Sequence, residues 1–150
     1  MQLLSPAFSH GEAIPVKYTC DGENLSIPLV FKNIPPEAKS IAIIMDDPDA
    51  PMGVFVHWVI YDIPATMQGL PEGVPGYPEL EYGIKQGRND FGKIGYGGPC
   101  PPSGVHRYYI KAYALNKALN LQAGLNKREL LQIIRPYIID QAVLMGVYGR

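Results

Sequence analysis

Three short segments concentrate the side chains of this chain that could do chemistry. The first is Asp46-Asp47-Pro48-Asp49-Ala50-Pro51, directly after an apolar run. Each proline fixes its own φ and restricts the residue before it, so these carboxylates sit on a stiff turn. Such a turn can orient a donor or a histidine, although Asp and Pro also favour turns with no further role. The second is His57, beside Trp58 in an otherwise apolar run. Alternation places His57 on one face with Phe55, Val59 and Tyr61. A buried imidazole needs partners for both nitrogens. A carboxylate such as Asp47 could hold one and aim the other at a ligand; the plain alternative is a core histidine bonded to backbone. The third runs from Gly95 to Tyr108, Gly-Tyr-Gly-Gly-Pro-Cys-Pro-Pro-Ser-Gly-Val-His-Arg-Tyr. Its glycines let backbone approach a ligand and can form an anion nest, and its prolines stiffen the loop. Where it enters a strand, His106 and Tyr108 share one face while Arg107 points to the other, toward an ion pair.

Together these residues are mostly donors, which suits a small phosphate or carboxylate better than hydrolysis. Ser103 near His106 lacks a G-x-S-x-G elbow. No P-loop, dinucleotide fingerprint or H-E-x-x-H occurs. Cys20, Cys100, His57 and His106 are zinc-ligand types without zinc spacing, so no metal and no cofactor is expected.

The elements that must position these residues read mainly as strands. Ser40–Met45 is short, β-branched and apolar throughout, as in a strand buried on both faces. Phe55–Ile63 follows and Pro64 stops it. Arg107–Leu115 is the longest, Gln141–Tyr148 reads as a last strand, and Leu29–Asn33 is weaker. One helix is legible: Asn126 caps it, Glu129 completes a capping box, and Leu130, Ile133, Ile134, Tyr137 and Ile138 recur at helical spacing. Pro136 should kink or end it near Arg135. The stretch between Pro64 and Pro102 is dense in Gly and Pro, and long loops of this kind in small domains tend to be functional.

Composition fits this reading. The 150 residues make one domain, residues 1–150, with 47% hydrophobic and 18% charged residues and a net charge of −1. Sixteen glycines and fifteen prolines without a collagen period indicate a turn-rich, mostly β fold. The balanced charge offers no field for nucleic acid or an anionic membrane, so any bound anion needs a local site. No membrane-length apolar run and no targeting segment is visible, which makes a cytoplasmic protein the expectation. A reducing cytosol would leave Cys20 and Cys100 as thiols, with a disulfide the lesser alternative.

The three segments, in this order, resemble the phosphatidylethanolamine-binding proteins, which include the Raf kinase inhibitor proteins, and most of all their short bacterial and archaeal branch. The carriers are Asp47-Pro48-Asp49-Ala50-Pro51, His57-Trp58 and Gly98 through Tyr108, supported by Tyr18-Thr19-Cys20-Asp21-Gly22-Glu23-Asn24 and Gly146-Val147-Tyr148. Ser26-Ile27-Pro28-Leu29-Val30-Phe31 departs from the branch's usual Ser-Pro-Pro-Leu with a following Trp, which touches packing more than the site. The resemblance implies a large antiparallel, Greek-key-like sheet packed with a smaller sheet and a few peripheral helices. It implies a small anion pocket using Asp47, His57, Gly98, His106 and Tyr108, walled by Ala50 and Pro51. In this picture Asp47 orients a histidine, the histidines and the Gly98 N–H hold the anion, and Tyr108 closes the rim. The longer members' C-terminal helix with its gating tyrosine has no counterpart, which implies a more open mouth.

The expected function is therefore non-enzymatic binding of a small anion, phosphate or a phosphorylethanolamine headgroup. Inhibition of a kinase or serine protease is a role described for members of the family. The competing readings are a hydrolase using a His57/Asp47 pair and an interaction protein with a vestigial pocket. A protein target and a homodimer are further expectations from the family, since short members often dimerise.

Overall fold

The apolar run at Ser40 extends by two aspartates to form a strand whose eight residues, Ser40–Asp47, are all buried (β3). The computed structural model describes Met1 to Arg150 and places seven other strands around it. These are β1 (Gln2–Leu4), β2 (Leu29–Lys32), β4 (Phe55–Pro64), β5 (Gly69–Leu70), β6 (Lys85–Gln86), β7 (Val105–Leu115) and β8 (Ile138–Gly149). One sheet of five has the order β6-β4-β3-β7-β8, and one of three has the order β1-β2-β5. All pairings within both are antiparallel. β3, β4 and β6 are consecutive neighbours, and β7 returns to lie beside β3, which is a Greek key.

The five-stranded sheet is covered on both faces, which explains why β3 carries no polar alternation. On one face Ile41, Ile43, Met45, Trp58, Ile60 and Ile110 pack against Leu3, Phe8, Ile14, Ile27, Leu29 and Phe31 from the amino-terminal part and the small sheet. On the other, Ala42, Ile44, Val56, Val59 and Tyr61 pack against Leu125, Leu130 and Ile134. The last two belong to the helix α1 (Lys127–Ile134), capped as its sequence predicts. The Asn126 side chain accepts the Glu129 N–H at 2.9 Å, and the Glu129 side chain accepts the Asn126 N–H at 3.0 Å. At Arg135 the helix tightens into a 3₁₀ turn, Arg135–Tyr137, around Pro136.

Two irregularities in the β3–β4 pairing matter. Ile41 faces Ile63 but Ile43 faces Ile60, and the extra length is taken up at Asp62, which adopts a left-handed backbone (φ 56°). Met45 faces Trp58 but Asp46 faces Val56, so His57 is a bulged residue. A bulge re-aims the side chains on either side of it. Val56, Val59 and Tyr61 therefore share the α1 face, while His57 joins Trp58 on the other. This corrects the alternation expected from sequence: His57 keeps Phe55 as a neighbour (ring centroids 5.1 Å apart) but not Val59 or Tyr61.

Cys20 and Cys100 form a disulfide, correcting the expectation of two thiols. The tie spans 80 residues and joins two loops that hydrogen bonds also bring together, through Cys20 N–H to the Pro99 carbonyl at 3.1 Å. No helix is long and apolar enough to cross a membrane.

Candidate functional site

At the end of β3, alternation sends the two aspartates apart. Asp46 turns to the α1 face and accepts a hydrogen bond from Lys127 Nζ at 2.7 Å. Asp47 turns to the opposite face, where its Oδ2 lies 2.6 Å from His106 Nδ1. Its other oxygen accepts the Asp49 N–H at 2.7 Å, which closes the turn. Asp49 in turn grips Arg107: Oδ1 accepts from Nη2 at 2.8 Å, and Oδ2 from Nε and from the backbone N–H, both at 2.9 Å. That guanidinium holds the Asp49 carboxyl well below the usual carboxylate range. Arg107 thus takes the structural ion pair its face predicts, and pins the β3–β4 turn to β7.

His106 and Tyr108 alternate onto the Asp47 face of β7, and the bulge at His57 brings the second imidazole to them. The His57 and Tyr108 rings meet edge to face with centroids 5.3 Å apart, and His106 stacks over Tyr108 at 6.4 Å. Asp47, His57 and His106 are all buried. The three side chains line a cavity of about 210 Å³. Ala50 and Pro51 line it too, as the resemblance implies.

Asp47 does not hold His57. The His57 Nδ1–H donates instead to the Gly97 carbonyl at 2.6 Å, while Asp47 orients His106. Both rings make their protein hydrogen bonds through Nδ1, not Nε2. Burial pushes the His57 pKa down, against smaller opposing contributions from the Gly97 carbonyl and the Asp47 charge. With Nδ1–H committed to a carbonyl, the neutral ring presents a lone pair at Nε2 and becomes a donor there only on protonation. The Tyr108 hydroxyl is buried without any protein hydrogen-bond partner. Burial first, then the Asp47 and Asp49 charges, raises its pKa far above the ordinary phenol range, so it remains an O–H donor.

Gly98 is the expected site residue that the structure places elsewhere. Its N–H donates to Asn24 Oδ1 at 2.9 Å and is not free for an anion. A Cβ there would overlap the Tyr18 carbonyl oxygen, so glycine is required by close packing. Gly97 is required for a similar reason, because a Cβ would enter the Phe91 ring. The Tyr18–Asn24 stretch therefore serves as a seat for the Gly-Pro loop, helped by the Tyr96 hydroxyl on the Tyr18 carbonyl at 2.7 Å.

Sequence reading missed five lining residues: Phe55, Phe91, Cys100, Pro101 and Pro102. Phe55 and Phe91 stack edge to face at 4.8 Å, and Phe91 also meets His57 at 5.4 Å, giving the cavity an aromatic wall. Cys100 to Pro102 lie inside the quoted motif and could have been proposed from it. Phe91 stands alone in a Gly-rich loop with no signal of its own.

Fold and site together define a two-sheet antiparallel β domain with a small cavity of ring nitrogens, one hydroxyl and aromatic carbon at its strand ends. The family model for phosphatidylethanolamine-binding protein matches residues 4–149, and the chain belongs to that family. It is 49% identical over 150 residues to a UPF0098 protein of Methanothermobacter thermautotrophicus, covering 100% of this chain and 99% of that one. It is 46% identical to a UPF0098 protein of Aquifex aeolicus, covering 100% and 89%. Among solved structures, a phosphatidylethanolamine-binding protein homolog from Chlamydia trachomatis superposes with a TM-score of 0.92 at 42% identity, covering 99% and 97% of the two chains. E. coli YbcL, described as a member of the mammalian family, gives 0.90 at 32% identity, covering 99% and 98%.

Proposed function

We propose that this protein binds a small oxyanion of the phosphate or carboxylate class in the cavity between β3, β4 and β7, without turning it over. The observation that carries this reading is the set of uncommitted polar atoms on the cavity wall. Both imidazoles are fixed through Nδ1, which leaves two Nε2 atoms and the unpartnered Tyr108 hydroxyl for a ligand. The Tyr108 hydroxyl donates to an oxyanion directly, and each Nε2 pairs with it through one proton, brought by the anion or carried on the ring. A phosphate monoester, phosphorylethanolamine included, fits this pattern, and its substituent would meet the aromatic wall.

The test is calorimetric titration of phosphate and O-phosphorylethanolamine into the wild-type chain, His57→Ala and His106→Ala. Saturable binding that both substitutions abolish supports the reading, and affinity unchanged in both refutes it. Inhibition of a kinase or a serine protease is measured on the same three proteins; inhibition lost with the two histidines would run through this cavity.

The Asp47–His106 pair favours one alternative, a hydrolase in which His106 is the base. It replaces the His57/Asp47 pair expected from sequence. Among the lining residues the hydroxyl and thiol types are Tyr108 and Cys100, and Cys100 is tied in the disulfide, so the attacking group would be water. Turnover of a phosphate or carboxylate ester that vanishes in Asp47→Asn and His106→Ala would establish it over simple binding.

A further inference from the structure

The Cys20–Cys100 disulfide has surroundings that a purely structural tie does not need. Both cysteines are exposed, and Cys100 lines the cavity. Arg150 places Nη2 3.3 Å from Cys20 Sγ and 3.9 Å from Cys100 Sγ. The guanidinium is fixed there by the Asp21 carboxylate, which also accepts the Tyr148 hydroxyl at 2.6 Å. Asp21 offsets part of the arginine charge, but Nη2 still faces both sulfurs. A cation beside a sulfur stabilises its thiolate, and a stabilised thiolate leaves faster in exchange.

We propose that this disulfide is a thiol-exchange site for a dithiol reductant and that its opening loosens the cavity wall; the second half rests on the anion reading above. One thiolate of the dithiol attacks Cys100 Sγ. The S–S bond breaks and its electron pair departs on Cys20 Sγ, the sulfur nearer Arg150. The second thiolate of the reductant then attacks the mixed disulfide, closes the reductant's own disulfide and expels the Cys100 thiolate. Two electrons pass to the protein, and the protons of the two reductant thiols end on the cysteines or in solvent. Afterwards the Cys100-Pro101-Pro102 wall is held to the Tyr18–Asn24 seat only by hydrogen bonds: Cys20 N–H to Pro99, Gly98 N–H to Asn24, and the Tyr96 hydroxyl to Tyr18. A wall that must be reordered on binding costs affinity. The redox poise of the compartment would thereby set how well the cavity holds its ligand.

The experiment has two arms. In the first, the oxidised protein meets limiting glutathione without oxygen, free thiols are alkylated, and the adduct is mapped by peptide mass spectrometry. The adduct is expected on Cys100. Arg150→Gln should slow its formation roughly threefold, the effect of one pKa unit at a Brønsted slope near 0.5, and should spread it over both cysteines. An adduct on Cys20, or a rate indifferent to Arg150→Gln, overturns the exchange site. In the second arm, phosphate is titrated calorimetrically into the oxidised chain, the dithiothreitol-reduced chain and the Cys20→Ser/Cys100→Ser double variant, each checked for fold by circular dichroism. Affinity roughly tenfold weaker in both open forms supports the coupling. Equal affinity in all three overturns it, as does unfolding of both open forms, which would make the bond structural only. If the oxidised chain binds no phosphate while glutathione still lands on Cys100, the anion reading and the coupling that rests on it fail and the exchange site stands.

Discussion

Replacing Tyr108 by Phe separates a hydroxyl that serves a ligand from one that serves the fold. The ring keeps its contacts with His57 and His106, and only the oxygen is lost. Because that oxygen has no protein partner, its removal breaks no bond of the folded chain. Stability should therefore hold within about 0.5 kcal/mol or rise slightly. Tyr61 supplies the contrast. Its hydroxyl donates to the Gln122 carbonyl at 2.7 Å and accepts the Leu125 N–H at 3.1 Å. Tyr61→Phe leaves two backbone groups without their partner and should cost about 1–3 kcal/mol. At roughly 2–4 °C per kcal/mol for a chain of this size, that difference is plain in a calorimetric melt. Ligand binding should behave the other way round. A hydrogen bond to a charged group contributes about 1.5–3 kcal/mol, so Tyr108→Phe should weaken phosphate roughly 10- to 150-fold, and Tyr61→Phe should leave it unchanged. The reasoning is refuted if Tyr108→Phe destabilises the fold as much as Tyr61→Phe, or if phosphate affinity survives the loss of the hydroxyl.

The lowered pKa of His57 gives a pH signature for the anion. Sulfate carries no proton near neutrality, so it needs the protonated imidazole, and its affinity should rise as pH falls from 8 toward 5 and lose that slope in His57→Gln. Phosphate, which brings its own proton, should outcompete sulfate at pH 8 and lose the advantage at pH 5; a ratio constant across this range in competition calorimetry contradicts the assigned tautomer. The same shift works against the fold in the absence of ligand. The unfolded chain takes up a proton at His57 more readily than the native one, so stability measured by urea titration should fall as pH drops below the ordinary histidine value, and sulfate should restore it. Gly98→Ala should cost about 2–3 kcal/mol in the same titration through overlap with the Tyr18 carbonyl, far more than the few tenths expected at Gly76, which is exposed and meets only the Ile94 carbonyl oxygen at 3.6 Å. Reduction of the disulfide, which closes an 80-residue separation, should remove about 4.5 kcal/mol by chain entropy, seen as a lower melting temperature in anion-free buffer.

How far the sequence reveals this molecule depends on whether a feature is periodic. The long strands β3, β4, β7 and β8 and the capped helix announce themselves through hydrophobic pattern and capping residues, because local chemistry decides them. β1, β5 and β6, with three, two and two residues, exist only because a partner strand is present, so no local pattern marks them. The site divides in the same way. Asp47, His106 and Tyr108 follow from alternation in well-defined strands. Arg107 is sent to its ion pair by the same rule. His57 was legible as a residue but not in its direction, because a bulge is set by the mismatch between two strands and leaves no mark in one of them. Phe91 and the spent N–H of Gly98 depend on loop packing across tens of residues and were not legible.

The bulge also decides which side chains reach the cavity. Without it, unbroken alternation from Trp58 would turn His57 toward α1 and Val56 toward the cavity, and the site would have one imidazole instead of two. The bulge is held open from outside the pair: the Asp90 carboxylate accepts the Val56 N–H at 2.7 Å, and the Gly97 N–H donates to the His57 carbonyl at 2.9 Å. Gly97 thus binds His57 twice, by its N–H to the backbone and by its carbonyl to Nδ1. The His57 imidazole is anchored to the loop whose continuation carries Cys100. Its position relative to His106 is therefore set by that loop as much as by the sheet. A ligand bridging the two rings would tie the loop to the end of β3, through His106 and Asp47, and a change in the loop's tether would reach the ring without any movement of the core.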